Sequence, residues 1–298
     1  MNLLKTAKNF PCVITVLCII FSAFVPNVWG RSFDEIKKSK ELRICLVLFD
    51  GYTEVYPSGC KNDCNYSGWV YDLAIAFAKQ NKLNPKISIM EWDEQFHNDK
   101  DKTDREAVYT PKHLQSGRCD LYPNNLTRLP WREKKLHFES LYPSRMFVII
   151  NKKNKQKFKK PSDLVGGSMA ITENTSYHTW MLNANKDIFK AKPVTIQLAG
   201  PQDDYKLVDE GKVDFTLRDS DLAIYLIKNK AKNSMTAFSM GETDDIGWGM
   251  RHEDKDLHKA VKDFIDEGRR NKRSTLNEVL QKYLGLTLSE FTTIVTAK

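Results

Sequence analysis

Four polar side chains cluster in the stretch Gly117–Pro143, GRCDLYPNNLTRLPWREKKLHFESLYP: Asn124, Asn125, Thr127 and Arg132. A guanidinium offers two parallel N–H donors to a carboxylate, and neighbouring amides and hydroxyls complete a polar shell. The set suits a small anionic or zwitterionic ligand; the plainer reading is a surface loop ahead of a basic helical turn. A second cluster, Asn174-Thr175-Ser176, joins the strand SMAI to the helix SYHTWML. Free N–H groups and hydroxyls at a helix start attract a carboxylate, and the same residues also serve as a simple N-cap. Asn174 is a residue that tolerates positive φ. A third feature is Asp219, at the end of a strand in VDFTLRDSDLAIY. A carboxylate enclosed in a cleft needs a cation, either from a ligand or from Arg128 or Arg218. Asp221 reads as a helix-start acid and His178 as a structural histidine. Phe49, Tyr52 and Tyr56 can wall an apolar, aromatic or cationic part of a ligand. Trp69 and Trp180 read as core.

These residues must be positioned by alternating strands and helices. SFDEIKKSK is amphipathic and leads into the buried-type strand LRICLVLF. A polar loop, DGYTEVYPSGCKNDCNYSG, precedes the helix GWVYDLAIAFAKQNKL and the strand KISIMEW. The stretch DEQFHNDKDKTDREAVYT reads as an insertion, and TPKHLQSG as a short helix ended by Gly117. After Pro143 come SRMFVIINKKN (strand), KKPSDLVG (short helix), PVTIQLAG (strand) and PQDDYKLVDEG (helix). KVDFTLRDSDLAIYLIKN reads as strand, loop and helix, and SMTAFSM and DIGWGMRH as two separate strands. KDLHKAVKDFIDEGRRN and TLNEVLQKYLG close the pattern as helices. The alternation predicts an α/β fold with mostly parallel sheets, one set embedded in another that the chain re-enters.

The chain has 298 residues, 28% of them charged, with a formal net charge of +8. A basic start with Lys5 and Lys8, the apolar run PCVITVLCIIFSAFV and the small Gly30 read as a secretory signal peptide over 1–30. Its removal takes two lysines and no acid, leaving +6. Acids interleave with the basic residues almost everywhere, which argues against a nucleic-acid partner. The lysine-rich NKKNKQKFKK at 151–160 reads as a solvated face. Export permits disulfides among Cys45, Cys60, Cys64 and Cys119. Cys60 and Cys64 are the best candidate pair. Cys45 and Cys119 can bridge adjacent strands or be small core residues, and a four-cysteine zinc site is the weaker alternative. No nucleophile elbow, metal-ligand helix or phosphate loop is present, so no cofactor and no metal is expected.

The Gly-x-x-Asp strand, polar loop, Arg132 and HFESLYP edge resemble the extracytoplasmic solute-binding proteins of the polar amino-acid uptake family. GWVYDLAIAFAKQN resembles that family's first-helix signature, with Val70 in place of an acid, and DIGWGMRHEDKDLHKAVKDFIDEGRRN its return to the first lobe. The resemblance spans nearly all of the chain after the signal. It implies a two-lobed type 2 periplasmic-binding-protein fold. Lobe one would be 31–146 and 238–298 and lobe two 147–237, with crossovers near Ser144–Phe147 and Thr236–Met240. It also implies a ligand carboxylate on Arg132, helped by Asn124, Asn125, Thr127, Thr175 and Ser176, and an α-ammonium on Asp219. Leu129 stands where the family carries a threonine, and Asn174 where it carries a glycine. The implied function is capture of an amino acid or similar zwitterion outside the cytoplasm by hinged closure. A monomer would then deliver it to an ABC-type permease or a sensor. Two other readings stay open: an interaction or sensor protein on the same scaffold, and a dehydratase-like enzyme. The dehydratases carry a glutamate where this chain has Tyr177. The lytic transglycosylases that share the fold add a C-terminal catalytic domain.

Overall fold

The computed structural model describes residues 30–49, 51–60, 64–201 and 203–296. The signal peptide expected over 1–30 thus lies, but for Gly30, outside the described residues. The first helix, α1 (Phe33–Ser39), opens with a capping box: Ser32 accepts from the Glu35 N–H, and Glu35 accepts from the Ser32 N–H at 2.7 Å. It buries Phe33 and Ile36 and delivers the chain to β1 (Glu41–Val47). The segment after β1, which reads as loop throughout, contains a small antiparallel hairpin, β2 (Glu54–Tyr56) and β3 (Asn65–Ser67). Polar turn residues mask its three-residue strands. Helix α2 (Trp69–Gln80) follows, and then β4 (Asn84–Met90), which pairs with β1 in parallel. Next come α3 (Lys112–Gln115), β5 (Tyr122–Thr127) and α4 (Pro130–Glu133), with proline at the first helical position.

Two long strands organise the rest. They are β6 (His137–Asn151) and β10 (Ser234–Met250), antiparallel partners along most of their length. Between them in sequence lie β7 (Ser168–Ile171), α5 (Ser176–Lys186), β8 (Thr195–Leu198), α6 (Asp204–Asp209), β9 (Phe215–Asp219) and α7 (Ser220–Asn229). Three helices close the chain: α8 (Lys255–Arg270), α9 (Thr275–Leu284) and α10 (Leu288–Thr296). The last is not anticipated by the sequence pattern, yet it buries Leu288, Phe291 and Val295. KKPSDLVG forms a 3-10 turn at Pro161–Leu164 rather than a helix. The two strands expected at SMTAFSM and DIGWGMRH are one. The GETD segment between them is absorbed by a register shift between Met240 and Asp244, where Gly241 takes φ +74°.

The large sheet has the order β5-β10-β6-β9-β7-β8. β7 pairs in parallel with β8 and β9, while β6 is antiparallel to β9, and β10 to β5 and β6. Period-two alternation splits the core along β6. Met146, Val148 and Ile150 pack with Phe158, Met169 and Phe215, whereas the alternate Ile149 belongs to the larger cluster with Trp69, Phe77 and Trp248, and Phe147 packs against it. The fold is thus α/β with two lobes, and the long β6–β10 pair runs through both.

Both cysteine pairs are bonded. Cys45–Cys119 ties β1 to the start of β5 across 74 residues, and Cys60–Cys64 closes the hairpin across 4. Chain-entropy cost grows with loop length, so the two bridges differ in worth. Replacing Cys45 and Cys119 by alanine should cost roughly 4 kcal/mol of unfolding free energy, against about 2 kcal/mol for Cys60 and Cys64. Chemical denaturation of the two double variants checks the order.

Candidate functional site

Strand β5 and the short α4 form the first half of the site. The β5 backbone reaches Asn125 with φ +48°, a left-handed conformation that asparagine tolerates. Proline starts α4 and places Arg132 where its side chain is fully enclosed, at 0% exposure. Its guanidinium lies over Phe96, Trp131 and Trp92, at 5.0, 5.2 and 5.8 Å from the ring centroids. Nη1 donates to the Thr127 carbonyl (2.9 Å) and Nη2 to the Asn174 carbonyl (3.0 Å). Nε is buried with no hydrogen-bond partner among the described residues. Burial lowers the Arg132 pKa to about 10, against the raising influence of Tyr177 and Asp219, so it remains a cation at neutral pH.

The second half comes from the strand–helix junctions at α5 and α7. Asn174 also takes φ +57°. Thr175 is the N-cap of α5: it accepts from the His178 N–H (3.2 Å) and donates to the Thr172 carbonyl (2.7 Å). The Thr175 side chain is therefore committed to local structure. His178 is likewise structural, its Nδ1 accepting from the Asn174 N–H (3.2 Å). Ser176 receives the Thr127 hydroxyl at 3.1 Å, a direct link between the halves. Asp219 ends β9 at the N-cap position of α7 but makes no side-chain cap bond. Tyr177 donates to it instead, at 3.1 Å.

Asp221 does more than start a helix. Its carboxylate is wholly buried, accepting from Tyr142 (2.6 Å), Asn125 (3.2 Å) and Tyr52 (3.5 Å). Three groups from the first half thus meet one acid of the second. Burial raises the pKa of Asp219, with Asp221 as the next cause, and burial also raises that of Asp221. Tyr52 is held by the approach of α2 to its loop: Val70 and Tyr71 both donate to the Tyr52 carbonyl at 3.1 Å. Gly68 (φ +115°) permits this, because a Cβ there would collide with that carbonyl. Phe49 packs 5.3 Å from Tyr52 and 5.7 Å from Trp92.

Several expectations need correction. The Asn124 side chain turns to β1. Its Oδ1 accepts from the Val47 N–H (3.1 Å), and its Nδ2 donates to the Cys45 carbonyl (3.2 Å) and to Gln95 (3.0 Å), stitching β5 to β1. Tyr56 is half-exposed and bonds Glu54 (2.7 Å), away from the cluster. Neither arginine suggested for Asp219 pairs with it: Arg128 pairs with Glu133, and Arg218 forms a fully buried ion pair with Asp204. Arg218 also lies between the rings of Phe49 and Tyr177, at 5.4 and 5.6 Å. The insertion 93–110 contributes unexpectedly. Arg105 donates to Asn174 (2.6 Å) and Thr179 (3.2 Å), and Asn174 donates to Asp93 (2.6 Å). Tyr142, Tyr177 and Trp131 also enter the site unforeseen, though aromatic residues flanking charged ones are a usable signal. Arg132, Ser176 and Asp219 do come together, linked through Asn174 and Tyr177. Among the described residues no group of three or more His, Cys, Asp or Glu side chains can hold a metal ion.

This architecture is that of the two-lobed amino-acid-binding proteins. The solved structures it resembles include the ancestral amino acid-binding protein AncCDT-1, a precursor of cyclohexadienyl dehydratase. That likeness has TM-score 0.66 and 20% identity over 84% of this chain and 98% of that one. The L-arginine-bound AbpA of Streptococcus pneumoniae is similar at TM-score 0.67 and 16% identity, covering 86% and 99%. The model of the bacterial extracellular solute-binding proteins, family 3, matches residues 51–286, and the chain belongs to that family. Its relatives include the L-cystine-binding proteins TcyJ of Escherichia coli K12 and TcyA of Bacillus subtilis. TcyJ is 26% identical over 88% of this chain and 92% of its own length, and TcyA 23% over 84% and 85%. A membrane-bound lytic murein transglycosylase F of Desulfosudis oleivorans is 23% identical, but the chain spans only 44% of that protein. The family thus includes binding proteins and has enzymes among its relatives.

The reassignment of Asn124 is testable. Asn124→Ala strips partners from buried backbone groups of β1 and should lower folding stability by about 1–3 kcal/mol, read by urea denaturation.

Proposed function

We propose that this protein captures an amino acid or similar small zwitterion between its lobes. One observation carries the reading. Arg132 is buried with no carboxylate in ion-pair distance, and Asp219 is buried with no cation in ion-pair distance, among the described residues. A site that keeps one buried charge of each sign unpaired complements a molecule bearing both signs. The ligand's carboxylate would meet Arg132, with Thr127 and Ser176 beside it, and its ammonium would meet Asp219. Phe49 and Tyr52 would wall the remainder.

In this reading 31–146 with 238–298 form one lobe and 147–237 the other. They would hinge where the β6–β10 register shifts, beside Gly241. The chain would be exported with cleavage near Gly30 and act as a monomer, delivering its ligand to an ABC-type permease or a sensor. Relatives named for binding cystine and a neighbour solved with bound arginine support an amino-acid ligand. Tyr177 replaces the dehydratase glutamate, and burial pushes its hydroxyl well above the ordinary phenol range. It therefore suits a fixed donor to Asp219 better than a proton shuttle, which favours binding over catalysis.

A thermal-shift screen of the protein, stripped of carried-over ligand by unfolding and refolding, tests the reading. An amino acid present at about 100 times its Kd should add about 2.7 kcal/mol of stability. Arg132→Ala and Asp219→Ala should each weaken binding by roughly 2–5 kcal/mol, since each strands an opposite charge. A cooperative melt that no amino acid shifts would favour an interaction protein on the same scaffold.

The raised Asp219 pKa, whose neighbours are Asp221, Tyr177, Asp244 and Arg132, makes binding depend on pH. A ligand ammonium requires ionised Asp219, so the complex holds fewer protons than the free protein. Affinity should therefore rise with pH, from the ordinary carboxylate value of 3.8 up to the raised one. Without ligand the sign reverses. The folded state binds more protons than the unfolded one in that window, so this group's contribution to stability falls as pH rises. Calorimetric titrations across the window check both signs.

A further inference from the structure

The acid pair opening α7 deepens the proposed function, and the role assigned to it rests on that reading. The strand β9 ends at Asp219 and the first turn of α7 carries Asp221, both carboxylates buried. The wholly buried guanidinium left unmatched in the cleft is Arg132, because Arg218 is matched by Asp204, while Arg105 is partly exposed at the rim. Both acids ionised against one guanidinium would leave an excess of one negative charge, which burial offsets in the free protein by raising both pKa values so that the pair keeps a proton. An ordinary zwitterion adds one charge of each sign and leaves that excess in place. The side-chain groups that bond Asp221 are the neutral hydroxyls of Tyr142 and Tyr52 and the neutral amide of Asn125, joined by the Leu222 backbone N–H. Such donors stabilise a carboxylate but do not cancel its charge.

A second observation falls at the same place. The Asn125 amide nitrogen serves Tyr142 (2.6 Å) and Asp221 (3.2 Å), which fixes the orientation of the amide. The Asn125 Oδ1 is buried and has no donor among the described residues. An unfilled acceptor stands beside an excess carboxylate, and Phe49 and Tyr52 supply aromatic faces that attract cations. An ammonium or guanidinium provides several N–H donors together with the missing charge.

We propose that the ligand is an amino acid with a second, positively charged group, and that Asp221 with Asn125 selects that group. Asp221 then determines specificity, while Arg132 and Asp219 hold the amino-acid head.

Isosteric ligand pairs test this on the unaltered protein. Stripped protein is titrated calorimetrically with arginine and citrulline, with lysine and norleucine, and with putrescine as a carboxylate-free control. At least one basic member should bind about tenfold or more tighter than its neutral isostere, and putrescine should not bind. Asp221→Asn should bring the ratio of basic to neutral isostere affinity close to one. Equal or tighter binding of both neutral isosteres overturns the charge selection and leaves zwitterion capture standing. Binding of putrescine alone, or of no amino acid at all, overturns both. The isostere comparison decides the matter even if Asp221→Asn does not fold.

Discussion

Arg132 is a cation removed from water and, among the described residues, not returned to an anion. A guanidinium loses most of its hydration on burial, and in a low-dielectric interior that loss is offset only by well-placed partners. Here the offset is partial. Two N–H groups reach backbone carbonyls, three aromatic rings face the charge, and Nε is left over. Asp219 mirrors this with one phenol donor. Holding both residues in this condition demands a rigid surround, and much of the remaining architecture supplies one. The Arg218–Asp204 pair fixes the floor under Phe49 and Tyr177. Asn124 and Cys45–Cys119 lock β5 against β1, and the Gly68 turn fixes Tyr52. Apart from Phe49 and Tyr52 these groups do not meet the proposed ligand, yet each sets the position of one that does.

The contacts across the cleft have a common character. Thr127 to Ser176, Arg132 to the Asn174 carbonyl, Arg105 to Asn174 and Thr179, and Asn125 and Tyr142 to Asp221 each join at most one charged group to a neutral one. The ion pair Lys230–Glu54 (3.1 Å) links the end of α7 to the β2 hairpin rather than spanning the charged cluster. Hydrogen bonds of this kind are worth about 0.5–1.5 kcal/mol net, or up to about 3 kcal/mol where one group is charged, because water competes for both ends. A hinged protein can act as a sensor of ligand only if closure is near balance without it, so that differential binding decides the population. Leaving the opposite-charge interaction of the buried Arg132 and Asp219 unmade, among the described residues, serves that requirement.

Much of this is legible in the sequence because it is local. Strand–helix alternation and the turn glycines locate most elements, and Arg132, Ser176 and Asp219 stand out as polar residues at element ends. The failures have physical causes. Asn124 and Asn125 are adjacent and chemically identical, but successive side chains of a strand face opposite ways, so one stitches β1 and the other meets Asp221. Asp221 looks like a helix-start acid because that role is local, whereas its partners Tyr52 and Tyr142 are far away in sequence. Strand β10 reads as two because Gly241 imitates a turn. The insertion 93–110 gives no periodic signal, and its bonds to Asn174 depend wholly on tertiary placement.

The asparagines at 125 and 174 show how a chain can place polar side chains where the backbone takes positive φ. Both hold positive φ, a conformation glycine adopts freely and asparagine tolerates. Unlike glycine, each then commits a side chain. Asn174 binds Arg105 and Asp93, drawing the insertion over the cleft. Asn125 bonds Tyr142 and Asp221, bringing an amide to the acid pair. A glycine at either place would keep the turn and lose these links. The two asparagines therefore convert permissive backbone positions into polar groups, one on the rim and one in the interior. This matters for selectivity because scaffold and backbone are shared across a family, whereas the polar groups added to them decide which ligand is matched.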